Sequence, residues 1–206
     1  LAGIGTMTFY DPASQVFGAL GHGINDVDTA LLMPLEAGAI MDSTVKTVKK
    51  GAAGDPGELK GSFNLAQDRG ALYANTDCGV FGTMTPCAIT DRAAVPVAQP
   101  GEVREGPATI LSNIRGDTVE EYDIEITRIC DTLSDTQNFI VKVTDPELLE
   151  ATGGIVQGMS GSPVLQNGKL VGAVTHVMVD DPARGYGIYL TNMLKQAYGG
   201  GAPDLS

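Results

Sequence analysis

Apolar and polar residues alternate in short runs along this chain, and most runs are too brief to be helices. Ile4 to Tyr10 reads as a strand, closed by the turn pair Asp11-Pro12. Val16 to Leu20 reads as its hairpin partner and runs directly into Gly21-His22-Gly23. Between Gly38 and Lys49 the period of two is clearest, in Thr44-Val45-Lys46-Thr47-Val48-Lys49, as expected of a strand with one wet face. A Gly/Pro-rich loop follows over Gly51 to Gly57. Further strands are predicted at Gly79 to Met84, Ala108 to Ile114, Glu121 to Ile129 and Phe139 to Val143. The last third reads as Pro163 to Leu165, a turn at Asn167-Gly168, and Leu170 to Val179. Two short segments have helical character. Asp145 to Thr152 has Pro146 available for the first helical position and Asp145 as a cap, and Thr191 to Tyr198 stops at three glycines.

Many short strands and few helices predict a mainly β fold of the barrel or sandwich class. The Pro/Gly-rich stretch Pro96 to Pro107 is the expected connection between two halves. With 206 residues, 43 % of them apolar and 18 % charged, the chain can bury a core, and this composition argues against wholesale disorder. The 27 glycines sit in punctuating clusters, in keeping with frequent turns. A net charge of −12, spread along the chain, argues against nucleic acid or an anionic membrane surface as partner. No run approaches the length of a membrane span and no signal peptide is visible. The start at Leu1, inside an apolar run, suggests a piece of a longer protein.

Three cysteines, Cys78, Cys87 and Cys130, give an odd count without metal-type spacing. They read as buried small residues, with a Cys78–Cys87 bridge as one option. Two histidines and no Cys/His cluster leave no metal site to expect, and no cofactor is implied.

Gly158-Met159-Ser160-Gly161-Ser162-Pro163 carries the most chemistry. A nucleophilic serine needs a tight turn that exposes its Oγ, and backbone N–H groups aimed at the oxyanion. Glycines on both sides allow that turn. The stretch resembles the nucleophile motif of trypsin-like enzymes, with Ser160 as nucleophile and the Gly158 and Ser160 N–H groups as the oxyanion hole. The residues after it, from Val164 to Val174, have the strand–turn–strand layout that follows the nucleophile in those enzymes. His22, between glycines at a strand end, is the expected base, and His176 the expected cleft residue. Four aspartates could orient the base: Asp26, Asp28, Asp123 and Asp145. Residue chemistry does not choose among them. A catalytically idle β-domain that binds a partner is the rival from another class, and a cysteine hydrolase ranks below it.

Longer blocks narrow the reading. Gly3-Ile4-Gly5-Thr6-Met7-Thr8-Phe9-Tyr10, Gly18-Ala19-Leu20-Gly21-His22, Gly54-Asp55-Pro56-Gly57-Glu58, Gly153 to Pro163 and Gly172-Ala173-Val174-Thr175-His176-Val177 resemble the stage IV sporulation protein B family of signalling serine peptidases. The resemblance runs from Leu1 to about Tyr198. It implies a trypsin/chymotrypsin-like double β-barrel with a short C-terminal helix, and a triad of His22, Asp145 and Ser160. It also implies self-cleavage and cleavage of a regulatory subunit of a membrane-embedded metalloprotease. The expected place is the space between the two forespore membranes, with membrane association only through an upstream anchor. That anchor and a PDZ domain, features of the family, are not within these 206 residues.

Overall fold

The computed structural model describes residues 2–85, 92–130 and 134–199. Cys87 lies outside the described residues, as does the Gly200-Gly201 end of the closing glycine run. Cys78 and Cys130 are free, buried thiols.

Strands β1 (Met7–Asp11), β2 (Val16–Ala19), β3 (Ala39–Lys49), β4 (Glu58–Thr76) and β5 (Gly79–Met84) form an antiparallel sheet in the order β1-β2-β5-β4-β3. Strands β6 (Gly106–Arg115), β7 (Thr118–Ile129), β8 (Phe139–Val143), β9 (Pro163–Gln166), β10 (Lys169–Met178) and β11 (Asp181–Tyr189) close into a barrel, β10-β11-β8-β7-β6-β9. The mainly β, two-part architecture therefore holds, with the first part an open five-stranded sheet and the second a closed barrel. Residues 96–105 run between the two parts and dock on β10, where Ala98 N donates to Leu170 O.

Alternation explains the closed barrel. In β7, Tyr122, Ile124 and Ile126 point into the core while Glu121, Asp123 and Glu125 face water. Ala108, Ile110, Ser112 and Ile114 do the same in β6. A one-residue slip in either strand would turn its apolar set outward, so burial fixes the register. Asn167 and Gly168 both have positive φ, 52° and 73°, which is the type I′ geometry that joins β9 to β10 in a tight hairpin.

The helices α1 (Pro146–Thr152) and α2 (Leu190–Ala197) fall within two residues of the positions read from the sequence. On α2, Leu190, Met193, Leu194 and Ala197 share one buried face. That face packs into a cluster with Val16 and Phe81 of the sheet and with Ala173 and Ile188 of the barrel, so α2 ties the two parts together.

Two strands have no counterpart in the sequence pattern. β4 is 19 residues long, mostly exposed, broken by glycines, and Leu65 at its centre is 81 % exposed. It is a strand because β3 and β5 flank it and satisfy its backbone, not because it buries an alternating face. β11 carries Pro182, Gly185 and Gly187, which weaken any periodic signal. Gly187 is required there, because a Cβ would run into the ring of Phe139.

Candidate active site

The loop from Gln157 to Gly161 is held by almost every backbone group it has. Gln157 N donates to Gly57 O at 2.9 Å, and Gln157 O accepts from Leu59 N at 2.8 Å. Gly158 O accepts the Thr6 hydroxyl at 3.0 Å. Met159 N donates to Val156 O and Met159 O accepts from Ser162 N, at 3.1 and 2.9 Å. Ser160 O accepts from Thr6 N at 3.0 Å, and Gly161 N donates to Val174 O at 2.8 Å. Gly161 O accepts the Thr8 hydroxyl at 2.8 Å.

The N–H groups of Gly158 and Ser160 alone are left over, with no partner among the described residues. A trans peptide points its N–H opposite its C=O. The carbonyls of Gln157 and Met159 are anchored on Leu59 N and Ser162 N, so the next two N–H groups point away from those partners. Two preset donors with nothing to bind are what an oxyanion hole requires. The glycines make this possible: Gly158 has φ 100° and Gly161 has φ 93°, conformations that side chains resist. Gly161 is also pressed against Leu20, where a Cβ would lie 2.5 Å from the backbone nitrogen.

Ser160 is half-buried, and its Oγ donates to Thr175 O at 2.8 Å. His176, the next residue on β10, stacks on His22 with ring centroids 4.5 Å apart and an angle of 35°. The structure thus gathers Gly158, Ser160, His22 and His176 at one place, between the end of β2 and the middle of β10. Ser160 Oγ rests on the Thr175 carbonyl, one residue from the ring that touches His22, and makes no hydrogen bond to His22 itself.

His22 reaches this place through a strained turn. Leu20 and Gly21 both have φ 70°, which ends β2 sharply and re-aims the chain. A leucine tolerates that region poorly, at about 1–3 kcal/mol, and Leu20 N is fixed by Thr6 O at 3.1 Å. A Cβ at Gly21 would lie 2.9 Å from the Thr175 methyl, so glycine lets His22 approach β10. His22 Nδ1 lies 2.8 Å from Gly23 O. A neutral ring in that contact carries its proton on Nδ1 and leaves Nε2 as an unprotonated base. Burial pushes the His22 pKa below the ordinary histidine value, against the Gly23 carbonyl, which favours the proton. Loss of hydration and the charge of neighbouring His22 push His176 down as well.

The aspartates are placed elsewhere. Among the described residues no carboxylate pairs with His22 within 4 Å. Asp145 caps α1: its carboxylate accepts from Glu147 N at 2.9 Å, Leu148 N at 3.0 Å and Asp123 N at 3.2 Å. Asp26 closes its own loop through Thr29, and Asp28 and Asp123 are exposed and engaged through their backbones. Cap geometry was legible in Asp145-Pro146, and the structure gives the carboxylate to the helix rather than to the imidazole. Asp145→Asn keeps the cap acceptor and is expected to leave stability within about 0.5 kcal/mol, whereas Asp145→Ala costs about 1 kcal/mol. Neither change should lower turnover more than the stability loss explains. A urea melt beside kinetics on the same samples checks this, and a large rate loss in folded Asp145→Asn would contradict it.

Comparison with known proteins identifies the family. The family model for SpoIVB peptidase S55 matches residues 1–194. The chain belongs to this family. The S55 chain is accordingly a serine peptidase. No curated protein matches it. Among solved structures, the active form of the Rv3671c protease from M. tuberculosis aligns with a TM-score of 0.45 and 14 % identity, covering 85 % of this chain and 96 % of that one. The inactive Ser343Ala mutant of Rv3671c aligns at 0.46 and 15 %, over 68 % and 75 % of the two chains. Human heparin binding protein aligns at 0.41 and 10 %, over 97 % and 82 %. No described helix of the S55 chain is long and apolar enough to cross a membrane.

Proposed function

We propose that this S55 peptidase acts in sporulation signalling by limited proteolysis, cutting itself and a regulatory subunit of a membrane-embedded metalloprotease. Ser160 is the nucleophile and His22 its base. The observation that carries the assignment is the pair of unpartnered N–H groups on Gly158 and Ser160, flanking a serine hydroxyl in a loop otherwise fully hydrogen-bonded.

The reaction follows from these groups. The reaction requires the Ser160 hydroxyl to leave the Thr175 carbonyl and bond to His22 Nε2. The ring takes the proton as Oγ attacks the scissile carbonyl, and the Gly158 and Ser160 N–H groups receive the oxyanion. The imidazolium then protonates the departing amine, and water, activated by the same ring, releases the acyl group. The Gly23 carbonyl fixes the ring tautomer, a task an aspartate performs in the usual triad. His176 covers one face of the ring and forms part of the cleft wall. The family relation supports a sporulation role; the site of action proposed with it is the space between the two forespore membranes.

Self-cleavage is the direct test. Full-length chain that cuts itself should stop doing so as Ser160→Ala, and should be cut when mixed with active protein. Persistent self-cleavage by the folded variant would contradict the assignment. The pH dependence is a second check. His22 must be neutral to act as base and its pKa is lowered, so the acid limb of the rate should lie below the ordinary value of about 6.5. The same shift means the unfolded chain binds more protons than the folded one just below that pH. Stability is therefore complete above the ordinary histidine value and is lost as the pH falls below it.

A further inference from the structure

Thr6 touches both halves of the proposed catalytic pair. Its N–H donates to Ser160 O at 3.0 Å and its hydroxyl to Gly158 O at 3.0 Å. Its own carbonyl accepts from Leu20 N at 3.1 Å, two residues before His22. Each polar group of Thr6 therefore bonds to the loop that holds Ser160 or to the turn that aims His22. Its neighbours reinforce the position. A Cβ at Gly158 would lie 3.3 Å from Ile4 Cγ2, and Gly5 faces the Leu20 side chain so closely that any Cβ would collide with it. The peptide carbonyls that Thr6 holds alternate with the two outward N–H groups, so releasing the Gly158 carbonyl frees the loop to rotate a neighbouring peptide.

We propose that Thr6 is a positioning residue that registers the His22-bearing turn against the Ser160 loop and keeps the oxyanion donors facing the cleft. The inference rests on the assignment of Ser160 and His22 above and adds a third residue to it. The segment before β1 thereby becomes part of the catalytic apparatus by holding the groups that act, through the Thr6 bonds to Ser160 O, Gly158 O and Leu20 N. Its consequence is functional: a change that displaces residues 4–6 disarms the site without unfolding the barrel.

The test uses the full chain, a fluorophosphonate probe and thermal melts. Thr6→Val keeps the shape and the backbone bonds but loses the hydroxyl. It should slow covalent labelling and kcat by about 10- to 100-fold, the scale of a misplaced reacting group, with KM within about twofold. Thr6→Ser restores the hydroxyl and should return labelling to within about threefold of the parent. Tyr73→Phe, which removes a 2.7 Å bond to Ala197 O away from the site, serves as the control for losing one side-chain bond. If Thr6→Val labels as fast as Tyr73→Phe, or if Thr6→Ser fails to rescue while folded, the positioning role is overturned. Failure of the parent chain itself to label at Ser160 would instead overturn the nucleophile assignment on which the inference rests.

Discussion

Replacing Ser160 by alanine is expected to lower kcat/KM by about 10⁴- to 10⁶-fold, the range seen when the nucleophile of a serine peptidase is removed. The estimate follows from chemistry and not from packing. Ser160 is half-buried, its hydroxyl makes one bond to Thr175 O, and alanine fits the same turn. Stability should therefore change by no more than about 1 kcal/mol, so the rate loss is separable from unfolding. His22→Ala should cost a comparable factor, since without a base the hydroxyl is a poor nucleophile. The two losses should not add. A Ser160→Ala/His22→Ala double variant is expected to be no slower than Ser160→Ala alone, because both residues serve one step. Steady-state kinetics on a peptide selected with the parent protein checks this, and additive losses would mean the two residues do not act together.

Gly158→Ala is the second large effect. Gly158 has φ 100°, and a Cβ there would lie 3.0 Å from Leu59 Cβ and 3.3 Å from Ile4 Cγ2. Relief requires the peptide between Gln157 and Gly158 to turn, which takes the Gly158 N–H out of the oxyanion hole. Loss of one such donor lowers kcat by about 10²- to 10³-fold. The accompanying strain costs about 1–3 kcal/mol. Gly168→Ala provides the comparison: it has φ 73° but nothing within 4 Å of a new Cβ. That variant should lose stability and keep its rate. Equal kinetic effects at Gly158 and Gly168 would show that the N–H direction at Gly158 is immaterial.

Much of the barrel could be read from the chain because burial is one-sided there. β5 and β8 have the bounds that the apolar runs predict, and β6 and β7 extend theirs by one to three residues. β4 was not legible, since an exposed strand held by its neighbours needs no periodic pattern. The nucleophile turn was visible as glycines around Ser160, because steric permission for positive φ is a property of residue type. The role of Thr6 was not visible. It depends on a contact across 152 residues that leaves no mark on local sequence. The acid was illegible for the same reason. Asp145 could be recognised as a helix cap, but the absence of a described carboxylate beside His22, and the Gly23 carbonyl in its place, exist only in three dimensions.

On the proposed assignment, the fold makes the Ser160 hydroxyl reactive by setting His22 and two unpartnered N–H groups around it. Incubating native chain with a fluorophosphonate and mapping the adduct by mass spectrometry tests this most directly. One adduct is expected, on Ser160, formed by folded protein and absent after denaturation or in His22→Ala. No adduct on the folded chain, or an adduct on Ser162 instead, would contradict it.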